Sequence, residues 1–341
     1  MTKLFLLLIG ICFTISGFAI FIGNIFYVPE NWPQPVYDFS KNPLTYEKVE
    51  LGRALFYDPL LSKDNSISCN SCHSQFTAFA HVDHALSHGI DNLIGTRNAP
   101  ALMNLAWQKS FMWDGAINHL DMQPLAPIAN EKEMASNIDS VVKKLQRTKL
   151  YPTLFLKAFG DSIITGEHTL KAISQFMLTL ISNNSKYDSV MRKQATFTQQ
   201  EKKGYKLFKI NCSGCHLEPL FTNQQFENNG LYVDATLNDI GRMKITLAPN
   251  DSLKFKVPSL RNIEFSYPYM HDGRFKKLSD VLNHYTSGIY QSKTLSKKLE
   301  TPILLSSYDK VDIISFLLTL TDRNFLFKTD YSFPKELLLK Q

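Results

Sequence analysis

A five-residue pattern, Cys-x-x-Cys-His, occurs twice in this chain of 341 residues, as CNSCH at residues 69–73 and as CSGCH at residues 212–216. The chain has only five cysteines, so these two motifs use all but Cys12. No cysteine pair is left for a structural disulfide elsewhere. The fold of this chain must therefore accommodate two Cys-x-x-Cys-His sites.

Three chemistries use closely spaced cysteines. A four-cysteine zinc site normally has its pairs closer together, and it would leave both histidines unexplained. A thioredoxin-like redox pair would explain one motif only and needs a βαβ context that is missing from the pattern. Covalent attachment of c-type haem explains both thiols and the histidine that follows them. The sequence thus predicts two haem c groups, held by Cys69, Cys72 and His73 and by Cys212, Cys215 and His216.

The duplication extends beyond the haem motifs. LGRALF precedes the first motif and KGYKLF precedes the second, while RNAP with FMWDG is echoed downstream by SLRN with YMHDG. Similar segments in the same order indicate two homologous units. We predict a mainly α-helical chain of two cytochrome c-like haem domains in tandem, with long loops, at residues 29–190 and 191–341.

Local patterns agree with a helical fold. Thr198 and Glu201 form a capping-box pattern that opens the helix before the second motif. Near the carboxyl end, helical spacing predicts another helix whose core face carries Val311, Ile314 and Leu318.

The amino end has a different character. Residues 4–26 contain no charged side chain, a length sufficient for a bilayer-spanning helix. We predict an amino-terminal apolar helix within residues 1–28 that serves as a signal anchor, with a signal peptide cleaved near residues 17–19 as the alternative. A signal anchor and a signal peptide both predict that the rest of the chain is exported. The net charge of +6 is spread without a basic and aromatic stripe, so nucleic-acid binding is not expected.

Taken in order, CNSCH, SHG, RNAP, FMWDG, PIANEKEM, CSGCH, SLRN and YMHDG resemble the bacterial di-haem cytochrome c peroxidase and MauG superfamily over residues 43–320. The resemblance implies a periplasmic protein, anchored to the inner membrane or released, with a calcium ion between its two domains. It implies reduction of hydrogen peroxide at the first haem, with electrons relayed from the second. Members are often dimers, so a homodimer is compatible with it.

Three catalytic residues follow from the resemblance. Glu133 matches the acid/base glutamate of the peroxide pocket, and Gln123 matches a polar neighbour there. A carboxylate above the iron can move a proton between the two peroxide oxygens. Trp113 matches the tryptophan that lies between the haems and offers a path for electrons.

Further ligands are implied in the same way. The Asn98 side chain and the carbonyls of Ser266 and Pro268 match calcium ligands, and hard oxygen donors suit that ion. His88 matches a removable sixth ligand of the first haem, although the segment also carries His81 and His84. A permanently open first haem, as in the MauG branch, is the alternative.

The second haem shows the main departure from typical peroxidases. They carry a methionine ligand about fourteen residues after the YMHDG-type histidine, whereas this chain has Tyr285, fourteen residues after His271. A His–Tyr ligand pair resembles MauG. An anionic phenolate favours oxidised iron, whereas a thioether raises the potential. His284 and Met270 are the neighbours that could replace Tyr285 as ligand.

These features support a leading hypothesis and two alternatives. The first is a haem peroxidase that reduces hydrogen peroxide to water with electrons from a small redox protein, such as a cytochrome c or a cupredoxin. The second is MauG-like oxidation of a protein or other bulky substrate through a high-valent His–Tyr haem, which Tyr285 favours. The third is a non-catalytic di-haem electron carrier, which would not need Glu133, Gln123 and Trp113.

Overall fold

The computed structural model describes residues 25–81 and 83–339, and its described part is mainly helical, as predicted. Two strands of two residues each pair antiparallel, with Phe226 opposite Lys256 and Glu227 opposite Phe255. Most of the remaining chain forms loops and single 3₁₀ turns. The amino-terminal helix predicted within residues 1–28 lies almost wholly outside the described residues.

The helices are short, and the two longest have thirteen residues each. They are α1 Tyr46–Tyr57, α2 Cys69–Cys72, α3 Leu125–Ala129, α4 Ile138–Gln146, α5 Leu150–Phe159, α6 Gly166–Leu178, α7 Lys186–Met191, α8 Gln199–Asn211, α9 Met243–Thr246, α10 Leu278–Ser287, α11 Ser307–Leu318, α12 Arg323–Phe327 and α13 Lys335–Leu338. The strands are β1 Phe226–Glu227 and β2 Phe255–Lys256. The 3₁₀ turns are Pro59–Leu61, Gln75–Thr77, Ile90–Asn92, Leu105–Trp107, Leu120–Met122, Pro249–Asp251, Lys297–Leu299 and Thr329–Tyr331.

Apolar side chains form two separate buried clusters. The first cluster is built around α1 and α6, and the second around α8 and α11. The carboxyl-terminal segment does not stay with the second cluster, because Phe325, Leu326 and Tyr331 are buried in the first. The Tyr57 hydroxyl donates to the Tyr331 carbonyl at 2.7 Å, which fixes this return.

The repeated Gly-x-x-Leu-Phe sequence has the same role in both clusters. A Cβ on Gly52 would lie 1.9 Å from a carbonyl oxygen of α6, and one on Gly204 would lie 1.9 Å from a carbonyl oxygen of α11. The phenylalanine four residues later packs against a phenylalanine of the partner helix. The ring centroids are 5.2 Å apart for Phe56 and Phe176 and 5.0 Å apart for Phe208 and Phe316. Glycine is therefore required for the close crossing of each helix pair. The repetition in the sequence is thus a repetition in packing.

Two local predictions have opposite outcomes. The capping box of Thr198 and Glu201 is present at the start of α8. The predicted core face of α11 is wrong for Val311 and Leu318, which are 52% and 41% exposed, whereas Ile314 packs against the second cluster. Ile313 and Phe316 are the fully buried residues of this helix. Apolar residues surround most of this helix, so their spacing alone could not select a face. The close approach of Gly204 to α11 sets its rotation.

No helix within residues 25–81 and 83–339 combines the length and the apolar character needed to cross a membrane.

Candidate haem-binding sites

The first motif forms a short helix that ends at its histidine. Ser68 and Ser71 cap helix α2, and His73 follows directly. The His73 Nδ1 lies 2.7 Å from the Phe79 carbonyl, so Nδ1 carries the proton and Nε2 is left for a metal. Burial lowers the pKa of His73 to about 4, which keeps the ring neutral as iron ligation requires.

His216 in the second motif has an equivalent environment. Its Nδ1 lies 3.1 Å from the carbonyl of Phe221 and 3.2 Å from that of Pro258. Burial lowers its pKa to about 4 as well. Both histidines are thus oriented by backbone carbonyls and present Nε2 on the side away from them.

The four motif cysteines fit covalent haem attachment better than the alternatives. All four are free thiols, and burial raises the pKa of Cys69 and Cys212 to about 12 and of Cys72 to about 11. A reactive redox cysteine needs a lowered pKa instead. Cys69 packs against the first cluster and Cys212 against the second. Among the described residues, no group of three or more His, Cys, Asp or Glu is arranged for a metal ion.

The structure brings Glu133 and the His88 segment to the first motif. The Cys72 Sγ lies 3.5 Å from the His88 carbonyl, and the Glu133 carbonyl accepts from the Ile90 amide at 2.9 Å. The Glu133 carboxylate is close enough to raise the pKa of the Cys69 and Cys72 thiols further. The predicted acid/base residue therefore lies near the thiols of the first motif.

Burial also raises the pKa of Glu133 itself, although a hydrogen bond from Asn130 at 2.7 Å opposes the shift. A carboxyl with a raised pKa can both release and take up a proton closer to neutral pH. The neighbouring Glu131 is exposed to solvent. Of these two glutamates, only Glu133 therefore has the environment of a proton-transfer group.

Three histidines surround the same region. The rings of His84 and His88 stack with centroids 4.2 Å apart. The ring centroid of His81 lies 5.4 Å from that of His84 and 6.5 Å from that of His88. The buried Nδ1 of His81 has no hydrogen-bond partner in the described part of the chain. Ligation by His88 stays a prediction, because this arrangement does not single out one of the three rings.

The two loops FMWDG and YMHDG have the same conformation. Met112 and Met270 both have positive φ, and each accepts from the amide of the glycine three residues later at 3.3 Å. Trp113 and His271 occupy equivalent positions in these loops. The Trp113 indole donates to the Asn98 carbonyl at 2.8 Å, and the Asn98 amide donates to the His271 carbonyl at 2.7 Å. Asn98 thus joins the two loops where the two halves meet.

Charged residues surround this junction. The Arg97 guanidinium binds both oxygens of Asp239 and one oxygen of Asp114, at distances of 2.6 to 2.9 Å. The Lys256 backbone amide donates to the Trp113 carbonyl at 2.7 Å. Burial lowers the pKa of Lys256 to about 8, and Asp114 opposes the shift. Contacts from both halves therefore hold the Trp113 loop.

The predictions for Gln123 and for the calcium ligands stay predictions. The Gln123 amide approaches the Met112 sulfur at 3.8 Å, which connects it with the Trp113 loop rather than with Glu133. Calcium binding by Asn98, Ser266 and Pro268 stays a prediction, because the hydrogen bonds described for Asn98 lead to other residues.

Tyr285 lies at the second motif. Burial raises the pKa of its phenol to about 12, a hydrogen bond with Asn229 opposes the shift, and both motif cysteines are close enough to raise it. The alternative ligand His284 has its Nε2 2.9 Å from the Asn229 carbonyl, and the Met270 sulfur receives the Asn229 side-chain amide at 3.4 Å. Ligation by Tyr285 stays a prediction, and it is supported by the proximity of the phenol to both motif cysteines.

Sequence reasoning missed Asn229 and His271. Asn229 lies in a loop rich in Asn and carries no motif, so only its contacts with Tyr285 and His284 identify it. The sequence pattern gives His271 no role beyond marking the distance to Tyr285. Its equivalence to Trp113 in the repeated loops was a visible signal of a place at the junction.

Comparison with known proteins identifies the family to which this chain is similar. A family model described as di-haem cytochrome c peroxidase matches residues 46–196. The methylamine utilization protein MauG of Methylorubrum extorquens is 36% identical over 299 residues, covering 86% of this chain and 82% of that protein. The cytochrome c551 peroxidase of Nitrosomonas europaea is 33% identical over 318 residues, covering 90% and 91%.

A solved structure shows the same likeness in three dimensions. A MauG-like protein associated with microbial copper homeostasis has a TM-score of 0.83 and 31% identity to this chain. The match covers 90% of this chain and 98% of that protein. Together with the paired histidines and free motif thiols, these matches establish that the chain belongs to the di-haem cytochrome c peroxidase and MauG family.

Proposed function

We propose that this protein uses hydrogen peroxide at the first haem site to oxidise a protein or other bulky substrate, as a MauG-type enzyme. The carrying observation is the position of Tyr285 beside Cys212 and Cys215 at the second site. When bound, haem c supplies the iron at which peroxide is reduced. The residues of this chain determine how protons reach that site and how the second site is closed.

Glu133 is the proton-transfer group of the first site. Its carboxylate lies close to the motif thiols, is held by Asn130 and is partly buried. From there it can accept the first peroxide proton and return it to the leaving oxygen. Such proton transfer typically contributes roughly 10²- to 10⁴-fold to a rate. A pure electron carrier has no need of this group, which disfavours the third hypothesis.

Tyr285 is the residue that closes the second site. A phenolate ligand favours the oxidised states of iron, in contrast to the thioether of a methionine. Asn229 holds the phenol by a hydrogen bond that favours its ionised form. A second site of this kind is poorly suited to accept electrons from a donor protein, but it can share an oxidising equivalent. The MauG relatives named above support this assignment.

The peroxidase with a small donor protein is the second candidate. It is favoured by the relatives named as cytochrome c peroxidases and by one surface feature. Lys202, Lys206 and Lys209 follow each other at helical spacing on the exposed side of α8, which ends at the second motif. A basic surface there would suit an acidic cytochrome c or cupredoxin.

Location in the periplasm belongs to the same proposal. Support comes from the apolar run of residues 4–26 and from the haem-attachment motifs. Cell fractionation would test it, since recovery of the haem-loaded protein from the cytoplasmic fraction would contradict it.

The test is the Tyr285→Phe variant, with Tyr290→Phe as control because Tyr290 is exposed. Removal of the phenol oxygen should change the optical and magnetic spectra of the oxidised second haem and raise its reduction potential. It should also abolish peroxide-driven oxidation of a bulky substrate. A Tyr285→Phe protein with an unaltered spectrum and potential would remove Tyr285 from the ligand set and, with it, the basis of this proposal.

A further inference from the structure

A chain of aromatic rings runs through the first half of the molecule. Trp32 contacts Trp107 with ring centroids 5.0 Å apart, and Trp107 contacts Phe26 at 5.6 Å. Phe26 contacts Phe39 at 4.6 Å, and Phe39 contacts Tyr37 at 5.0 Å. The Tyr37 amide also donates to the Ala106 carbonyl at 3.0 Å, so Tyr37 lies next to the backbone of Trp107. Two of the chain's three tryptophans are therefore in contact and lead to one tyrosine.

One end of this aromatic chain meets the loop that follows the second motif. The Gln224 side chain donates to the Trp107 carbonyl at 2.6 Å. The Arg261 guanidinium lies 4.7 Å from the ring of Trp32 and 5.7 Å from the ring of Phe221. The Phe221 carbonyl in turn lies 3.1 Å from Nδ1 of His216, the histidine of the second motif. The tryptophan pair is thus connected, through Arg261 and Phe221, with the histidine of the second motif.

The other end reaches the surface at a tyrosine with a proton acceptor. The Tyr37 hydroxyl donates to Asp121 Oδ1 at 2.8 Å and accepts from the Asn42 amide at 3.1 Å. The His119 ring lies 5.9 Å from Tyr37, and its side chain is 47% exposed. Burial, together with the nearby Asp121 carboxylate, raises the pKa of Tyr37, so the phenol is protonated at rest. Oxidation of this phenol has an immediate proton acceptor in Asp121.

The electrostatics of the path also suit oxidation. Indole and phenol are the aromatic side chains most easily oxidised by one electron. A cation beside Trp32 would oppose this, but the Arg261 charge is paired with both oxygens of Asp188 at 2.8 and 2.9 Å. The Trp107 indole N–H donates to the Pro33 carbonyl at 2.7 Å, which stabilises positive charge on the ring.

We infer that Trp32, Trp107 and Tyr37 carry oxidising equivalents from the second haem site to the surface beside His119, where they oxidise phenols. Tyr37 gives one electron through the tryptophan pair, and its hydroxyl proton moves to Asp121, which leaves a neutral tyrosyl radical. A phenol at the surface restores Tyr37 by giving one electron and releasing its own proton, while Asp121 returns the first proton. Over two such cycles one hydrogen peroxide and two phenols give two waters and two phenoxyl radicals.

This inference rests on the proposed function, because hydrogen peroxide is the oxidant. The experiment mixes the haem-loaded protein, carrying ring-deuterated tyrosine, with hydrogen peroxide and freezes it for electron paramagnetic resonance. The unlabelled native protein should give a tyrosyl signal that narrows with the label. The signal should be lost in Tyr37→Phe and Asp121→Asn and retained in Tyr46→Phe, a control whose tyrosine is 64% exposed.

A second measurement follows oxidation of para-cresol and peroxide consumption in the same samples. Trp32→Phe should lose the Tyr37 radical and cresol oxidation while still consuming peroxide, and this partly exposed position avoids the buried Trp107. Two results would overturn the aromatic path and leave the proposed function intact. One is a Tyr37→Phe protein that consumes peroxide and gives an unchanged radical signal, and the other is a native protein that consumes peroxide without a tyrosyl radical. A protein that consumes no peroxide would overturn both.

Discussion

Replacing Glu133 with glutamine tests the proton-transfer role with little structural change. The glutamine Oε1 can still accept the hydrogen bond that Asn130 donates at 2.7 Å, so the side chain should keep its position. It cannot exchange a proton, and we expect the second-order rate of peroxide reaction to fall by about 10²- to 10⁴-fold. At about 1.36 kcal/mol for each factor of ten, this corresponds to roughly 2.7 to 5.4 kcal/mol of lost transition-state stabilisation.

The pH dependence of the rate distinguishes loss of proton transfer from a general structural disturbance of the site. Burial raises the pKa of Glu133 above its ordinary value of 4.5. The carboxylate form, which accepts the first proton, therefore disappears as the pH falls through that raised pKa. The native rate constant should decline on the acid side above pH 4.5, and this decline should be missing in Glu133→Gln.

Glu131→Gln is the matched control, since Glu131 is exposed and only two residues away. It should react with peroxide at the native rate and with the native pH profile. Stopped-flow mixing of each variant with peroxide across a pH series measures both quantities. A Glu133→Gln protein with the native rate, or with an unchanged acid limb, would refute the assignment.

Three other substitutions have expected outcomes. Gly204→Ala places a methyl group 1.9 Å from an α11 carbonyl oxygen, so it should lower the free energy of unfolding, measured by urea titration, by about 1–3 kcal/mol. The control is Gly214→Ala, which should leave the free energy of unfolding unchanged because its Cβ would meet only the Lys298 side chain, at 3.7 Å. Asp188→Asn leaves buried Arg261 without its ion pair and should cost about 3–5 kcal/mol. Burial raises the pKa of Asp188, but the Arg261 charge outweighs burial and lowers that pKa below 3.8. The native protein should therefore be more stable than the variant above pH 3.8 and lose this difference only at lower pH, whereas equal stability of the two proteins at pH 7 would contradict the role of the ion pair. Trp113→Phe removes the indole donor and should slow electron transfer between the haems, measured by flash photolysis, without loss of haem; an unchanged rate would remove Trp113 from the path.

The sequence can predict haem-binding residues because the chemistry of their attachment is local. A pair of thiols two residues apart and the histidine after them act within one helical turn, so spacing alone identifies them. The distance of Tyr285 along the chain from the repeated loop predicts it as a ligand, and the structure places it near Cys212 and Cys215. The helical character of the fold follows from local patterns such as the capping box of Thr198 and Glu201, which is present at the start of α8.

Other features depend on contacts between distant segments, which spacing does not encode. The core face of α11 is selected by Gly204 of α8, not by the apolar positions of α11 itself. The return of Phe325 and Tyr331 to the first cluster has no local signal. Asn229 and the Tyr37–Asp121 pair acquire their roles only when loops from separate parts of the chain meet.

The most direct test of the central claim, a His–Tyr second haem serving a MauG-type reaction, is stopped-flow mixing of the fully oxidised and the half-reduced protein with hydrogen peroxide. The account predicts that the fully oxidised protein reacts rapidly, with both haem spectra changing together. A fully oxidised protein that is inert, and reacts only after one haem has been reduced, would contradict it and favour the donor-fed peroxidase.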